Sequence, residues 1–253
     1  ETADEQSTRA GLDVLNQTTR WLNDSRNIPS IHLDFFFCYF RDKNRFPMRL
    51  FGGIYEGVND LSACSLDPFA YYHHNLDPQT EWDIEHPWSL QKATAEDLQE
   101  LGYFYEASSG GLLTNAFDLQ PESLDDTSLD DIYRQYGFSR VRHTFALRDN
   151  TNLKAIFVVN LADFGLNLSE LTSAIQVFIP ESEELPRPLL DLILSLLCLK
   201  FKKTNVPVLM YPYEAAEKYG INIEKKYMLW IFNSSRMDSF FRELKKLTRT
   251  IGH

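Results

Sequence analysis

Leu153-Lys-Ala-Ile-Phe-Val-Val-Asn160 is the run whose reading decides the fold class. It is almost continuously apolar and β-branched at Ile156, Val158 and Val159, the pattern of a strand covered on both faces. Ala174–Ile179 and Val206–Tyr211 have the same character, and Trp88–Lys92, Val141–Leu147 and Tyr227–Phe232 add shorter strand candidates. Helical signals alternate with them. Thr94-Ala-Glu-Asp97 is a capping box, in which the Thr94 hydroxyl accepts from the Asp97 amide and the carboxylate returns the bond. Leu98, Leu101 and Tyr105 then share one face. Leu129, Ile132, Tyr133 and Tyr136 mark a second helix, which Gly137 closes. Pro188–Lys203 reads as a helix with proline in its first turn, Glu214–Tyr219 as a short helix ended by Gly220. Met237–Leu247 carries Phe240, Phe241, Leu244 and Leu247 on one face. The expected fold is α/β in the broad α+β sense: one mixed sheet flanked by helices. Strands 153–160 and 174–179 are expected as antiparallel neighbours, with the 188–203 helix buried against the sheet.

Upstream, the stretch Asn75–Pro87, with its two prolines and four acidic residues, has no helical or strand period. It separates an N-terminal region, 1–87, from a larger domain, 88–253. Leu12, Leu15, Thr19 and Leu22 recur at helical spacing, with Val14 and Trp21 widening the stripe. Ile31–Phe40 reads as a strand and Arg41–Pro47 as a charged turn. Met48–Tyr55 reads as the return strand of a hairpin, with Gly52-Gly53 as a bulge.

Composition narrows the function classes. The chain has 253 residues and a formal charge of −11, from 25 basic and 36 acidic side chains. That balance argues against non-specific binding to DNA or RNA, which needs a basic footprint. Three scattered cysteines, Cys38, Cys64 and Cys198, fit neither a disulfide framework nor a zinc cage and read as reduced thiols in a cytoplasm. The longest apolar stretch, Leu189–Phe201, is interrupted by Asp191 and Lys200 and is too short to span a bilayer, so no membrane insertion is expected.

The order strand, helix, helix, three strands, helix, strand, helix, strand over residues 88–253 resembles the GNAT fold of the acyl-CoA N-acyltransferases. Gln91-Lys-Ala-Thr-Ala-Glu-Asp97 looks like that family's "R-x-A-T-x-x-D" phrase at the end of its first strand. The resemblance implies a mostly antiparallel sheet flanked by helices, an acetyl-CoA or other acyl-CoA cofactor and an amine acceptor. It also implies that 1–87 is a partial second unit of the same kind. Backbone amides at Val158–Asn160, or in the 174–179 strand, would hold the thioester carbonyl. Arg187 is the one positive charge at the loop where the family binds the CoA pyrophosphate, and Tyr213 and Tyr219 are the nearby candidates for a general acid. Two departures weigh against activity. Pro180-Glu-Ser-Glu-Glu-Leu-Pro-Arg-Pro188 stands where the family has a glycine-rich phosphate loop, and carboxylates there repel a pyrophosphate. Ala216 stands four residues before Gly220, where active members carry tyrosine. The expectation is a catalytically degenerate module that binds a small molecule or a protein partner, with an active N-acyltransferase as the alternative.

Other residues carry weaker signals. Arg41, Lys43, Arg45 and Arg49 form a local basic patch in an acidic chain, a candidate anion site or a charged turn that discourages edge pairing. Arg140, Arg142 and Arg148 followed by Asn160-Leu-Ala-Asp-Phe-Gly165 resemble the cyclic di-GMP-binding PilZ family, with Ala162 in place of its serine and the arginine spacing altered. The second alternative, a nucleotide-responsive regulatory protein of the cyclic di-GMP type, places its nucleotide at the Arg41–Arg49 turn. His73, His74, Asp83, Glu85 and His86 are the densest group of possible metal ligands. Adjacent histidines on a strand face opposite ways, so this group reads as a solvated linker.

Overall fold

The 153–160 run lies within a strand that is paired on both edges and buried on both faces. In the computed structural model, which describes residues 3–24, 33–76, 84–124, 126–150, 152–163, 170–180, 185–201 and 203–251, the elements are α1 (Ala3–Asn23), β1 (Phe35–Arg41), α2 (Arg45–Pro47), α3 (Gly53–Val58), β2 (Cys64–Asn75), β3 (Trp88–Lys92), α4 (Ala95–Ser108), α5 (Leu113–Ala116), α6 (Ser128–Gln135), β4 (Arg140–Asp149), β5 (Asn152–Ala162), β6 (Ile175–Phe178), α7 (Arg187–Cys198), β7 (Asn205–Tyr211), α8 (Tyr213–Lys218), β8 (Lys225–Asn233) and α9 (Met237–Ile251). The strands hydrogen-bond in the order β1-β8-β2-β7-β6-β5-β4-β3, a mostly antiparallel sheet flanked by helices. Two compact units are formed: Glu1–Asp67 with Ser109–Phe117 and Met228–His253, and Pro68–Ser108 with Asp118–Tyr227.

In the second unit, β5 pairs antiparallel with β4 and with β6, as the two apolar runs lead one to expect. β6 and β7 are parallel, and α7 supplies the crossover that a parallel pair requires. Ile156, Phe157, Val158 and Val159 are all inaccessible to solvent. Leu190, Ile193, Leu194 and Leu197 of α7 pack on Phe157, Val159, Ile175 and Val177. Each such side chain contributes roughly 1.5–3 kcal/mol by leaving water. The capping box forms as read: Thr94 N donates to Asp97 Oδ2 at 2.7 Å, and Asp97 N donates to Thr94 Oγ1 at 3.3 Å. Arg148 Nε donates to the other oxygen of Asp97 at 2.7 Å, so the cap is tied to β4.

In the first unit, Leu12, Phe40, Leu50, Ile54, Phe232, Phe240 and Leu244 form the core. Here the hairpin reading fails. Residues 45–58 are helical throughout, running from α2 through a π turn (Met48–Gly52) into α3. Leu50 and Ile54 stand one turn apart and are both buried. Gly52 (φ −62°, ψ −44°) is right-handed helical and no bulge exists. The glycines serve approach to α9: a β-carbon on Gly53 would meet Leu247 Cδ2 at 3.0 Å, and one on Gly57 would meet Glu243 Oε2 at 2.6 Å. The stripe on α1 is also narrower than read, since Leu12 and Thr19 are buried whereas Val14 and Trp21 are exposed. In the second unit, α6 forms where expected, but its Leu129, Ile132 and Tyr136 face outward. Among the described residues, no helix is long and apolar enough to cross a membrane.

Candidate functional site

β3 is shorter than β4, and that mismatch makes a site. Their register begins with Lys92 opposite Phe145 and runs to Trp88 opposite Asp149; Ala93 N adds one bond to Thr144 O. Residues 140–143 therefore have β5 on one side and, among the described residues, no strand on the other. The antiparallel ladder fixes which backbone groups face the open side. Asn160 N donates to Ala174 O, so Asn160 faces β6, and Arg142, its partner in register, faces away from β5. Arg140, two residues earlier, faces the same way. A cavity of about 460 Å³ opens there, lined by Arg140, Arg142 and residues 143–145 of β4, by Lys92 and Lys200, and by Asp118, Ser123, Leu124 and residues 126–130.

The charges in this cavity are unevenly engaged. Arg140 Nη1 is ion-paired with Asp130 Oδ1, and its guanidinium lies 5.9 Å from the Tyr133 ring centre. Asp126 Oδ1 accepts from Ser128 N at 2.8 Å, which holds that carboxyl below its usual range. Lys200 Nζ sits 5.4 Å from the Phe145 ring centre. Arg142 differs from all of these: its Nε and Nη2 are shielded from solvent, and neither has a hydrogen-bond partner among the described residues. Burial, with Arg140 beside it, lowers the Arg142 pKa to about 10, opposed by Asp118 and Asp130. The group is still a cation at neutral pH. A shielded cation without a partner is costly, and its planar fork matches a carboxylate or a phosphate. His143, on the opposite side of β4, is lowered by burial and then by Lys200.

A second cavity, about 710 Å³, lies between β2 and α7. Arg187, Asp191 and Ser195 form a polar column at i, i+4 and i+8 on the otherwise apolar α7. Arg187 Nε donates to Asp191 Oδ2 at 2.8 Å. His74 Nε2 lies 2.9 Å from Ser195 Oγ, with both residues buried. His73 points the other way, its Nδ1 2.9 Å from Glu224 Oε1. The alternation anticipated for adjacent histidines separates them, but the solvated-linker reading fails for this pair, since both lie in β2 and His74 is buried. Burial lowers the pKa of His74 and raises that of the Tyr72 phenol, whose oxygen is shielded and without a partner among the described residues. The Ser195 hydroxyl is closed in against His74, an arrangement that satisfies two buried polar groups.

The residues singled out by sequence fall in several places. Arg187 also donates from Nη1 to Tyr219 O at 3.0 Å, so its guanidinium is engaged on both sides. The Tyr219 hydroxyl accepts from Leu185 N at 3.3 Å, and the Tyr213 ring lies 4.1 Å from Lys226 Nζ. Val158 is buried. The Asn160 amide donates within the sheet, and the Ile179 amide donates to Tyr211 O at 2.9 Å. Residues 181–184 of the anticipated CoA loop lie outside the described residues, as do Asp83 and residues 164–169. The flanking Pro180, Pro186 and Pro188 have no amide to donate. These residues do not fit CoA: the amides meant for the thioester carbonyl serve the sheet, and Arg187 serves Asp191 and Tyr219. Arg41, Lys43, Arg45 and Arg49 are all exposed around the end of β1 and the helical stretch after it. Arg148, grouped by sequence with Arg140 and Arg142, is held instead by Asp97 and Glu100.

Sequence reasoning named Arg142 without seeing its isolation. The Arg-x-Arg spacing on a strand predicts that Arg140 and Arg142 share a face. Where β3 stops beside them is a matter of register, which no local pattern carries. Compared with known proteins, the chain matches no family model and no curated sequence.

Proposed function

We propose that this chain is a GNAT-like, catalytically degenerate binding module that recognises an anionic group in the cavity at the open edge of β4. The observation that carries this is Arg142, a cation lining a cavity with two shielded donors unengaged. The order of elements from β3 to β8 supports the GNAT-like layout, since it follows the order read from the sequence. Three free thiols, Cys38, Cys64 and Cys198, support a cytoplasmic location. Burial pushes Cys64 and Cys198 up to about 12, which makes them inert at neutral pH.

The test is a thermal-shift panel of inorganic phosphate, cyclic di-GMP, acetyl-CoA and longer acyl-CoAs against the chain and its Arg142→Met variant. A ligand at 100 times its dissociation constant stabilises by about 2.7 kcal/mol. The expected result is a shift with an anion that the variant loses. A shift with acetyl-CoA that survives Arg142→Met would replace this reading with the acyltransferase.

A further inference from the structure

We infer that the anionic ligand is a carboxylate carried by an extended peptide, which adds as a strand to the open edge of β4 at Arg140–His143; this rests on the anion reading of the same cavity. Three observations converge on residues 140–143. The first is the backbone. Arg140 and Arg142 turn their N–H and C=O groups to the side that β3 does not reach, and an unpaired edge is a template for another strand. The second is the side chain. Arg142, whose backbone faces the open side, also lines the cavity, and its Nε and Nη2, closed to solvent in the free chain, meet a guest carboxylate once the guanidinium turns toward the edge. A residue paired directly opposite Arg142 places its β-carbon about 4.5–5.5 Å from that of Arg142, within reach of a glutamate carboxylate. The third is charge. Lys92, Arg140, Arg142 and Lys200 line the cavity against Asp118, Asp126 and Asp130, an excess of one positive charge; Asp130 is ion-paired with Arg140, and Asp118 and Asp130 act on Arg142 through space. Strand addition supplies affinity through the main chain and specificity through alternate side chains.

The binding unit is short. The open stretch is four residues long, about 13 Å at 3.3 Å per residue, so the guest is a tetra- or pentapeptide segment with one acidic side chain inward. Inward-pointing charge also guards edges against pairing, and that rival role predicts that no peptide binds.

The probe is acetyl-Thr-Val-Glu-Val-Thr-amide, titrated calorimetrically into the full chain, with hydrogen exchange read at the Arg142 amide. Three companions accompany it: the glutamine version, a version N-methylated at the glutamate, whose amide is the one turned to Arg142 in an antiparallel pair, and inorganic phosphate. The expected result is binding of the glutamate peptide, at least tenfold weakening by glutamine, at least tenfold weakening by N-methylation, and slowed exchange at Arg142. Arg142→Met should bring the glutamate peptide down to the level of the glutamine one. Arg142→Lys, which keeps the charge and loses the fork, should fall between them. If phosphate binds in an Arg142-dependent way while the peptide does not, or while N-methylation changes nothing, the strand inference is overturned and the anion reading stands. If neither phosphate nor peptide distinguishes the chain from Arg142→Met, both are overturned.

Discussion

Two cavities of the second unit, beside α7 and at the edge of β4, are built from the same materials and differ in what is left over. Beside α7, the cation has its carboxylate, Arg187 on Asp191, and the buried histidine has its hydroxyl, His74 on Ser195. The polar atom left over there is neutral, the Tyr72 hydroxyl. At the edge of β4, Arg140 has taken Asp130, and Arg142 Nε and Nη2 are shielded with no hydrogen-bond partner among the described residues. Volume would rank the larger cavity first. Polar satisfaction ranks them the other way, because a cavity whose charges are paired is complete without a ligand.

The largest test of that contrast is Arg142→Met without ligand. Replacing a poorly compensated buried ion by an apolar side chain of similar length is often neutral or stabilising, by up to about 4 kcal/mol. The expected outcome in urea denaturation is a gain of roughly 1–3 kcal/mol with an unchanged m-value. A loss of more than about 1 kcal/mol would mean that Arg142 is satisfied within the chain, and the contrast would collapse. Its mirror is Ser195→Ala in the other cavity. Removing that hydroxyl leaves His74 Nε2 buried without a partner, so stability should fall by roughly 1–3 kcal/mol. The same measurement on both variants should give opposite signs.

How much of this was legible in the sequence follows from the range of each signal. The Thr94–Asp97 cap was legible because it spans one helical turn and depends on nothing else. The runs that became β5, β6 and β7 were legible because burial on both faces leaves an unbroken apolar string. Met48–Tyr55 misled because an apolar run of eight with two glycines fits a bulged strand as well as a helix. Its arbiters, Leu247 and Glu243 of α9, stand far along the chain. The α7 column was readable from the helical period alone. The isolation of Arg142 was not, because it depends on β3 ending at Lys92.

A pH titration of stability sharpens the comparison further, since each cavity holds a histidine whose pKa is lowered by burial. The sign follows from the unfolded chain, where histidine titrates near 6.5. Below that pH the unfolded state takes up a proton that folded His74 and His143 resist, so stability is present above about pH 6.5 and is lost as pH falls. His74→Gln and His143→Gln should each flatten part of that acid limb. Saturating phosphate should separate them: an anion at the β4 edge favours the protonated form of His143 and shrinks its share, leaving that of His74 intact. Equal effects of phosphate on both limbs, read by denaturation at pH 5 and pH 7.5, would remove the electrostatic distinction between the cavities.

The smallest effect is expected at Arg187, and its smallness is informative. Arg187 and Asp191 are each more than a third exposed, so solvent screens their ion pair. Exposed pairs of this kind are worth about 0–1 kcal/mol. The bond from Nη1 to Tyr219 O adds a link between α7 and the end of α8, where water can replace the guanidinium. Arg187→Met should therefore cost less than about 1 kcal/mol in urea denaturation. It should also leave phosphate and peptide binding at the β4 edge unchanged, because none of the residues lining that cavity belongs to its contacts. An Arg187→Met variant that loses anion binding while keeping its fold would move the ligand site to the α7 cavity and reverse the ranking drawn from the paired charges.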